Sequence, residues 1–439
     1  MSDPDIRVIR PRERAAIIQS LSAGVVPAIG LQHIQVGRQA EVTAVVNDLQ
    51  TVEQGASVVR FIVGRFGSGK TFFLNLIRTV ALTRKFVVLH ADITTDRRLH
   101  GSGGQSRSLY AELLKNLATP SRPEGGALAN LVERWVGDLA HSIKTQGGSD
   151  EDVEAEVGRQ LAPLRDLVNG FDFAHVVSLY FKGYCAHDEA LQQAALRWLR
   201  AEYGTKTEAR EALGVRSIID DEDFYDALKL MARFVQIAGY RGLLIGLDEL
   251  VVLSHRLNNT QARNNNYEAI LRIVNDCLQG QTQGLSFLFA GTDECIEDRR
   301  RGLFSYEALA TRLAPNRFAA SGRIDLSGPI IKLESLTPED CFVLLHNVRH
   351  VFAAGEKSKY LIPDEGITEY LRICNERMGA AYYQTPRNTV KDFAGLLRVL
   401  EQNPTTDWRQ LISEAAGRTA AAAPPTDSTA DGLTEFRLS

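Results

Sequence analysis

Val58-Val-Arg-Phe-Ile-Val63 runs directly into Gly64-Arg65-Phe66-Gly67-Ser68-Gly69-Lys70-Thr71, and that octapeptide opens Phe72-Phe-Leu-Asn-Leu-Ile-Arg-Thr-Val-Ala-Leu82. The order is apolar strand, glycine-rich turn, amphipathic helix. The turn fits the pattern GxxxxGK[ST], and the chemistry explains the spacing. Glycines let the backbone curl so that consecutive N–H groups point at phosphate oxygens, and the helix adds its positive N-terminal end. Lys70 is placed to bridge β- and γ-phosphates, and the Thr71 hydroxyl to ligate Mg²⁺. Gly64 to Thr71 therefore form the expected nucleotide cradle, with ATP and Mg²⁺ as its ligands.

The rest of the site is spread along the chain. Leu243-Leu-Ile-Gly-Leu-Asp248-Glu249 is an apolar strand ending in two carboxylates, which a strand end cannot bury without partners. Asp248 suits the metal's water shell and Glu249 a general base on the attacking water. The strand Ser286-Phe-Leu-Phe-Ala-Gly291 ends in Thr292-Asp293, and Thr292 could orient that water or the γ-phosphate. Thr385-Pro386-Arg387 reads as N-cap, N1 and N2 of a helix. A cation in a first turn opposes the helix dipole by about 0.3–1 kcal/mol, which a nearby phosphate would offset. Arg387 is thus a candidate for the γ-phosphate, and Arg312 for an arginine finger acting on a neighbouring subunit, with Arg317 and Arg299-Arg300-Arg301 as competitors. The plainer alternatives are a turn residue for Thr292 and solvated surface arginines for the others.

Around these motifs the chain is ordinary for a soluble globular protein: 439 residues, 44% hydrophobic, 24% charged, net charge −4. No apolar run approaches the roughly 20 residues of a membrane span, and the charged start MSDPDIRVIRPRER lacks a signal peptide's apolar region. Five scattered cysteines without a CxxC pair argue against zinc or a disulfide framework and fit the cytoplasm. Five short apolar strands alternating with helices predict an α/β fold with a parallel sheet covered on both faces. The expected layout is an N-terminal helical extension (1–35), an α/β nucleotide core (36–334) with a helical insertion at about 109–239, a helical lid (335–402) and a disordered tail (403–439). The tail ends in Leu433-Thr-Glu-Phe436-Arg-Leu438-Ser, either a docking peptide or a frayed end.

GRFGSGKT, LIGLDE, SFLFAGT, the LTPED helix start and TPR together resemble an AAA+ ATPase of the initiator and transposition-regulator branch. Val36-Gly37-Arg38-Gln-Ala-Glu41 resembles that branch's opening motif, which lies against the adenine. More narrowly, RFIVGRFGSGKTFFL, the long insertion and RRRGLFSYEALATRL resemble the ATP-binding proteins of BREX phage-defence loci, the BrxD family, over about residues 12 to 402. This resemblance implies a homo-oligomeric ring or filament, action on DNA, and a partner helicase. The winged-helix DNA reader usual after the lid in initiators has no room after Gln402.

One loop bears on DNA directly. Asp96-Arg97-Arg98-Leu99-His100-Gly-Ser-Gly-Gly-Gln-Ser-Arg107 is basic, flexible and without aromatics, suiting phosphate tracking better than base stacking; a solvated loop is the alternative. Two functions stand: an ATP-hydrolysing motor or helicase loader on DNA, or a nucleotide switch that recruits a protein partner without gripping DNA. A small-molecule kinase is weaker, since no acceptor site is apparent.

Overall fold

The computed structural model describes residues 8–316, 325–377 and 386–421. The chain divides into two compact units: one spans Arg38–Glu334, the other joins the residues up to Gly37 to those from Ser335 onward.

The larger unit is α/β. Strands β1 (Ser57–Val63), β2 (Val87–Asp92), β3 (Leu243–Asp248), β4 (Leu285–Gly291) and β5 (Ile330–Lys332) form one sheet in the order β2-β3-β4-β1-β5. Every pairing is parallel, so all five strands deliver their C-terminal residues to one edge, where ligands of open α/β sheets bind. Strand alternation explains the two-sided burial. Val59, Phe61 and Val63 join one core, whereas Ile62 joins the other with Phe73 and Ile77 of the helix Lys70–Thr83 and Val45, Leu49 and Val52 of the helix Gln39–Glu53. Phe61 stacks on Phe289 with centroids 5.1 Å apart, and Phe289 on Phe287 at 5.8 Å.

Between β2 and β3 lie seven α-helices, from Gln105–Lys115 to Phe224–Ile237. Their apolar faces continue the first core, which runs from β1 through Leu131, Phe173 and Trp198 to Met231 without a break. Local rules set their starts: Ser149, Asp188 and Thr205 each cap a helix by accepting a backbone N–H. The first of these helices begins earlier than the sequence implies. The expected loop from Asp96 to Arg107 ends at Gly104, whose φ of +85° marks the N-cap, so Arg107 sits on the helix and not in the loop.

The second unit is helical: Pro11–Ser22, Pro338–Phe352, Asp364–Arg377, Pro386–Gln402 and Trp408–Ala421. Ile17, Leu345, Val348, Phe393 and Leu397 are buried in it. Thr337 and Asp340 form a reciprocal capping box at the first helix of the expected lid. The helix Trp408–Ala421 corrects the expectation of disorder from residue 403; Ile412 within it is buried. Leu433, Phe436 and Leu438 of the expected docking end lie outside the described residues.

Candidate functional site

At the C-terminal end of β1 the chain is held from both sides. The Leu333 amide donates to Val63 O at 2.7 Å and the Gly64 amide to Gly291 O at 3.3 Å. Gly64 has no room for a side chain: a Cβ there would lie 2.7 Å from Ser68 Oγ and 2.8 Å from Leu333 O. Gly67 and Gly69 then take φ values of +79° and +94°, a conformation that side chains disfavour. The turn ends at Gly69, the N-cap of Lys70–Thr83.

Lys70 curls back over this turn, its Nζ donating to Gly64 O at 3.0 Å and to Arg65 O at 2.9 Å. Burial lowers its pKa, opposed by Asp248 first and then Cys295, Glu249 and Asp293. A lysine with three carboxylates nearby and carbonyls as its hydrogen-bond partners is a cation positioned for an anion. Ser68 Oγ, in the same turn, is buried with no hydrogen-bond partner among the described residues. Arg65 and Phe66 are exposed, Phe66 at 70%.

Parallel pairing brings the second motif alongside. Thr71 Oγ1 donates to Asp248 Oδ2 at 2.7 Å, and Asp248 Oδ1 accepts the Glu249 amide at 2.8 Å. Glu249 has a φ of +60°, a sparsely used conformation of the kind that gathers at functional sites. Its pKa is raised, by burial first and then by Asp248 and Asp92. Thr292 follows Gly291, the residue in register with Val63, and caps the short helix Asp293–Glu297. Its Oγ1 is also buried, with the Cys295 thiol beside it.

Nothing in the local pattern singles out Asp92, yet it stands in register with Asp248. Its pKa is raised by burial and then by Asp248, with Arg97 opposing. The signal was a second strand ending on a carboxylate, but which strand lies beside β3 is a non-local fact.

The residues fit a nucleotide with a divalent cation. The glycine conformations, the turned-in lysine, the unpartnered Ser68 hydroxyl and the Thr71–Asp248 pair suit a phosphate chain with its metal. Among the described residues no group of three or more His, Cys, Asp or Glu could hold a metal by itself.

The remaining candidates have other partners. Arg312 donates to Asn275 Oδ1 and, at 2.9 Å, to Ala308 O. Arg300 N donates to Asp298 Oδ1 at 2.7 Å and Arg301 to Leu257 O at 3.2 Å; Arg317 and Thr385 lie outside the described residues. Arg387 lies in the helical unit, where its Nε donates to Gly24 O at 2.6 Å. Val36 and Gly37 end the first segment of that unit, and Arg38 opens the other unit, with bonds to Glu41 Oε1 at 3.3 Å and to Glu334 O. In the basic loop, Arg97 pairs with Glu112 at 3.3 Å, and Arg98 donates to His100 O and Thr95 O at 3.0 and 3.2 Å. Arg107 reaches Tyr203 O at 3.4 Å, while its amide and those of Gly104 and Ser106 all donate to Asp221. Asn266, fully buried, grips the loop through His100 N and O at 3.0 and 3.1 Å.

A family model described as "BREX system ATP-binding protein BrxC/D" matches residues 9–416. The chain belongs to this family. It is therefore an ATP-binding protein of the BREX phage-defence system. No curated protein matches the chain. Among the described residues of this BrxC/D protein, no helix is long and apolar enough to cross a membrane.

Proposed function

We propose that this BrxC/D protein hydrolyses ATP to ADP and phosphate with Mg²⁺, in the cytoplasm. The reading rests above all on the Thr71–Asp248 contact at 2.7 Å with Glu249 held beside it in a left-handed backbone conformation. Binding alone needs the cradle; a carboxylate of raised pKa next to the cation position is what activation of water needs. Lys70 neutralises the β- and γ-phosphates, and the backbone N–H groups from Gly67 to Thr71 orient them. A bound Mg²⁺ at Thr71 and Asp248 supplies charge neutralisation of the β- and γ-oxygens. Glu249 takes the proton of the attacking water, and Thr292 presents its hydroxyl to that water or to the γ-phosphate. General-base catalysis of this kind contributes about 10²–10⁴-fold. Arg312, released from Asn275, acts as the arginine finger of a neighbouring subunit in a homo-oligomer.

For the purpose of the cycle, the internal bonds of Arg97, Arg98 and Arg107 favour a nucleotide-dependent switch that recruits or regulates a protein partner. The second reading, a motor or loader on DNA with a partner helicase, draws on the resemblance and requires those arginines to change partners. MgATP binding and phosphate release test the chemistry. Lys70→Ala is expected to lose binding, and Glu249→Gln to retain ATP and lose most turnover; wild-type turnover in Glu249→Gln removes the general-base assignment. A salt series of DNA binding, with and without ATP, separates the two purposes: a steep slope that appears with ATP favours the motor.

A further inference from the structure

β1 lies between β4 and β5, and Val63 at its end is in register with Gly291 on one side and Lys332 on the other. The next residue is Gly64, where the phosphate loop begins. Lys332 Nζ lies 3.3 Å from Asp293 Oδ1 and 3.6 Å from Glu297 Oε1, both on the short helix that Thr292 caps. These ion pairs leave β5 and land beyond β4, crossing the end of β1 over two strand spacings, about 9–10 Å. The Asp293 contact is the shorter of the two.

The turn that the short helix controls is tightly packed. A Cβ at Gly291 would lie 2.3 Å from Cys295 Sγ and 3.1 Å from Leu250 Cβ, so the helix and the turn move together. Thr292 Oγ1 sits buried in this turn against the Cys295 thiol of the same helix. Between the start of the phosphate loop and β4 stands the long Gly64–Gly291 bond at 3.3 Å. Burial alone would lower the Lys332 pKa; Asp293 and then Glu297 reverse this and leave it raised.

We propose that Lys332 is a positioning residue for ATP hydrolysis: its bridge to Asp293 and Glu297 straps the ends of β5 and β4 together across the start of the phosphate loop and sets Thr292 against the γ-phosphate. This rests on the hydrolytic reading above. Ion pairs this exposed add little to stability, so the strap acts on placement, where an error of about 1 Å can lower a rate about 100-fold.

The test compares wild type, Lys332→Met, which keeps the aliphatic stem, and Lys332→Arg, which keeps the charge. Lys332→Met is expected to lower kcat about 10-fold, an intermediate share of that limit, with the Kd for MgATP unchanged within about twofold; Lys332→Arg is expected to recover most of the rate. Wild-type kcat in Lys332→Met overturns the proposal, as does equal slowing in both variants. Amide exchange across residues 292–297 gives a readout independent of turnover. It is expected to quicken in Lys332→Met and stay normal in Lys332→Arg, and unchanged exchange overturns the strap. If wild type binds ATP without hydrolysing it, the hydrolytic reading falls, and the exchange result alone decides whether the strap exists.

Discussion

Asp48→Ala is the substitution whose cost the geometry fixes best. Arg60 lies on β1, 7% exposed, and donates from Nε to Asp48 Oδ2 at 2.7 Å and from NH2 to Asp48 Oδ1 at 2.6 Å. Asp48, on the helix Gln39–Glu53, is 8% exposed. Removing one partner of a buried pair leaves the other charge uncompensated, at about 3–5 kcal/mol. Arg60 cannot escape to solvent easily, because NH1 also bonds Ser327 O at 3.0 Å and Gly328 O, on the approach to β5. The loss therefore belongs in the stated range, and at about 2–4 °C per kcal/mol for a large domain it lowers Tm by roughly 10 °C. The assay is urea and thermal unfolding of the full chain at neutral pH, with Asp48→Leu/Arg60→Met as companion. Removing both charges spares the desolvation penalty, so the double variant is expected within about 1 kcal/mol of wild type. A loss below about 1 kcal/mol in Asp48→Ala, or a double variant as unstable as the single, would refute the reasoning.

Gly64→Ala places a methyl 2.8 Å from a backbone oxygen that cannot retreat. Overpacking of about 1–3 kcal/mol, taken from the cradle, weakens ATP binding about 10-fold or more; calorimetric titration with a non-hydrolysable analogue showing wild-type affinity would disprove it. His90 on β2 has its pKa pushed down to about 4 by burial, with Arg78 adding to the effect and Glu112 opposing it. The unfolded chain, with histidine near its ordinary value, binds this proton first as pH falls. Stability from this group is thus intact above about pH 6.5 and declines down to about pH 4, by roughly 2 kcal/mol between pH 7 and 5. Urea unfolding of wild type and His90→Gln across that range checks it: the variant's curve is expected to be flatter, and parallel curves contradict the assignment.

What could be read locally was read from local signals. Strand, turn and helix around Gly64–Thr71 follow from glycine placement and apolar runs, and Asp248-Glu249 declares itself as an acidic end to a buried strand. Sheet order is not local. That Asp92 stands beside Asp248, and Lys332 within 3.3 Å of Asp293, depends on which strands neighbour which. Arg107 shows the same limit: its helix starts where it does with help from Asp221, 114 positions away. The helix Trp408–Ala421 was hidden differently. Its run of alanines reads as low complexity, yet alanine is the strongest helix former, and a buried Ile412 gives the segment an anchor.

The unbroken core that joins β1 to the helices between β2 and β3 has a thermodynamic consequence. With no seam between them, those helices have no melting transition of their own to undergo; they unfold with the strands that carry the phosphate loop. Any ligand of the native state raises the unfolding free energy of its whole cooperative block, by about 2.7 kcal/mol at a concentration 100 times Kd. Protease nicking between Lys115 and Phe224 would then report on nucleotide occupancy at the sheet edge, turning the most distant helices of the block into a gauge of the ATP supply.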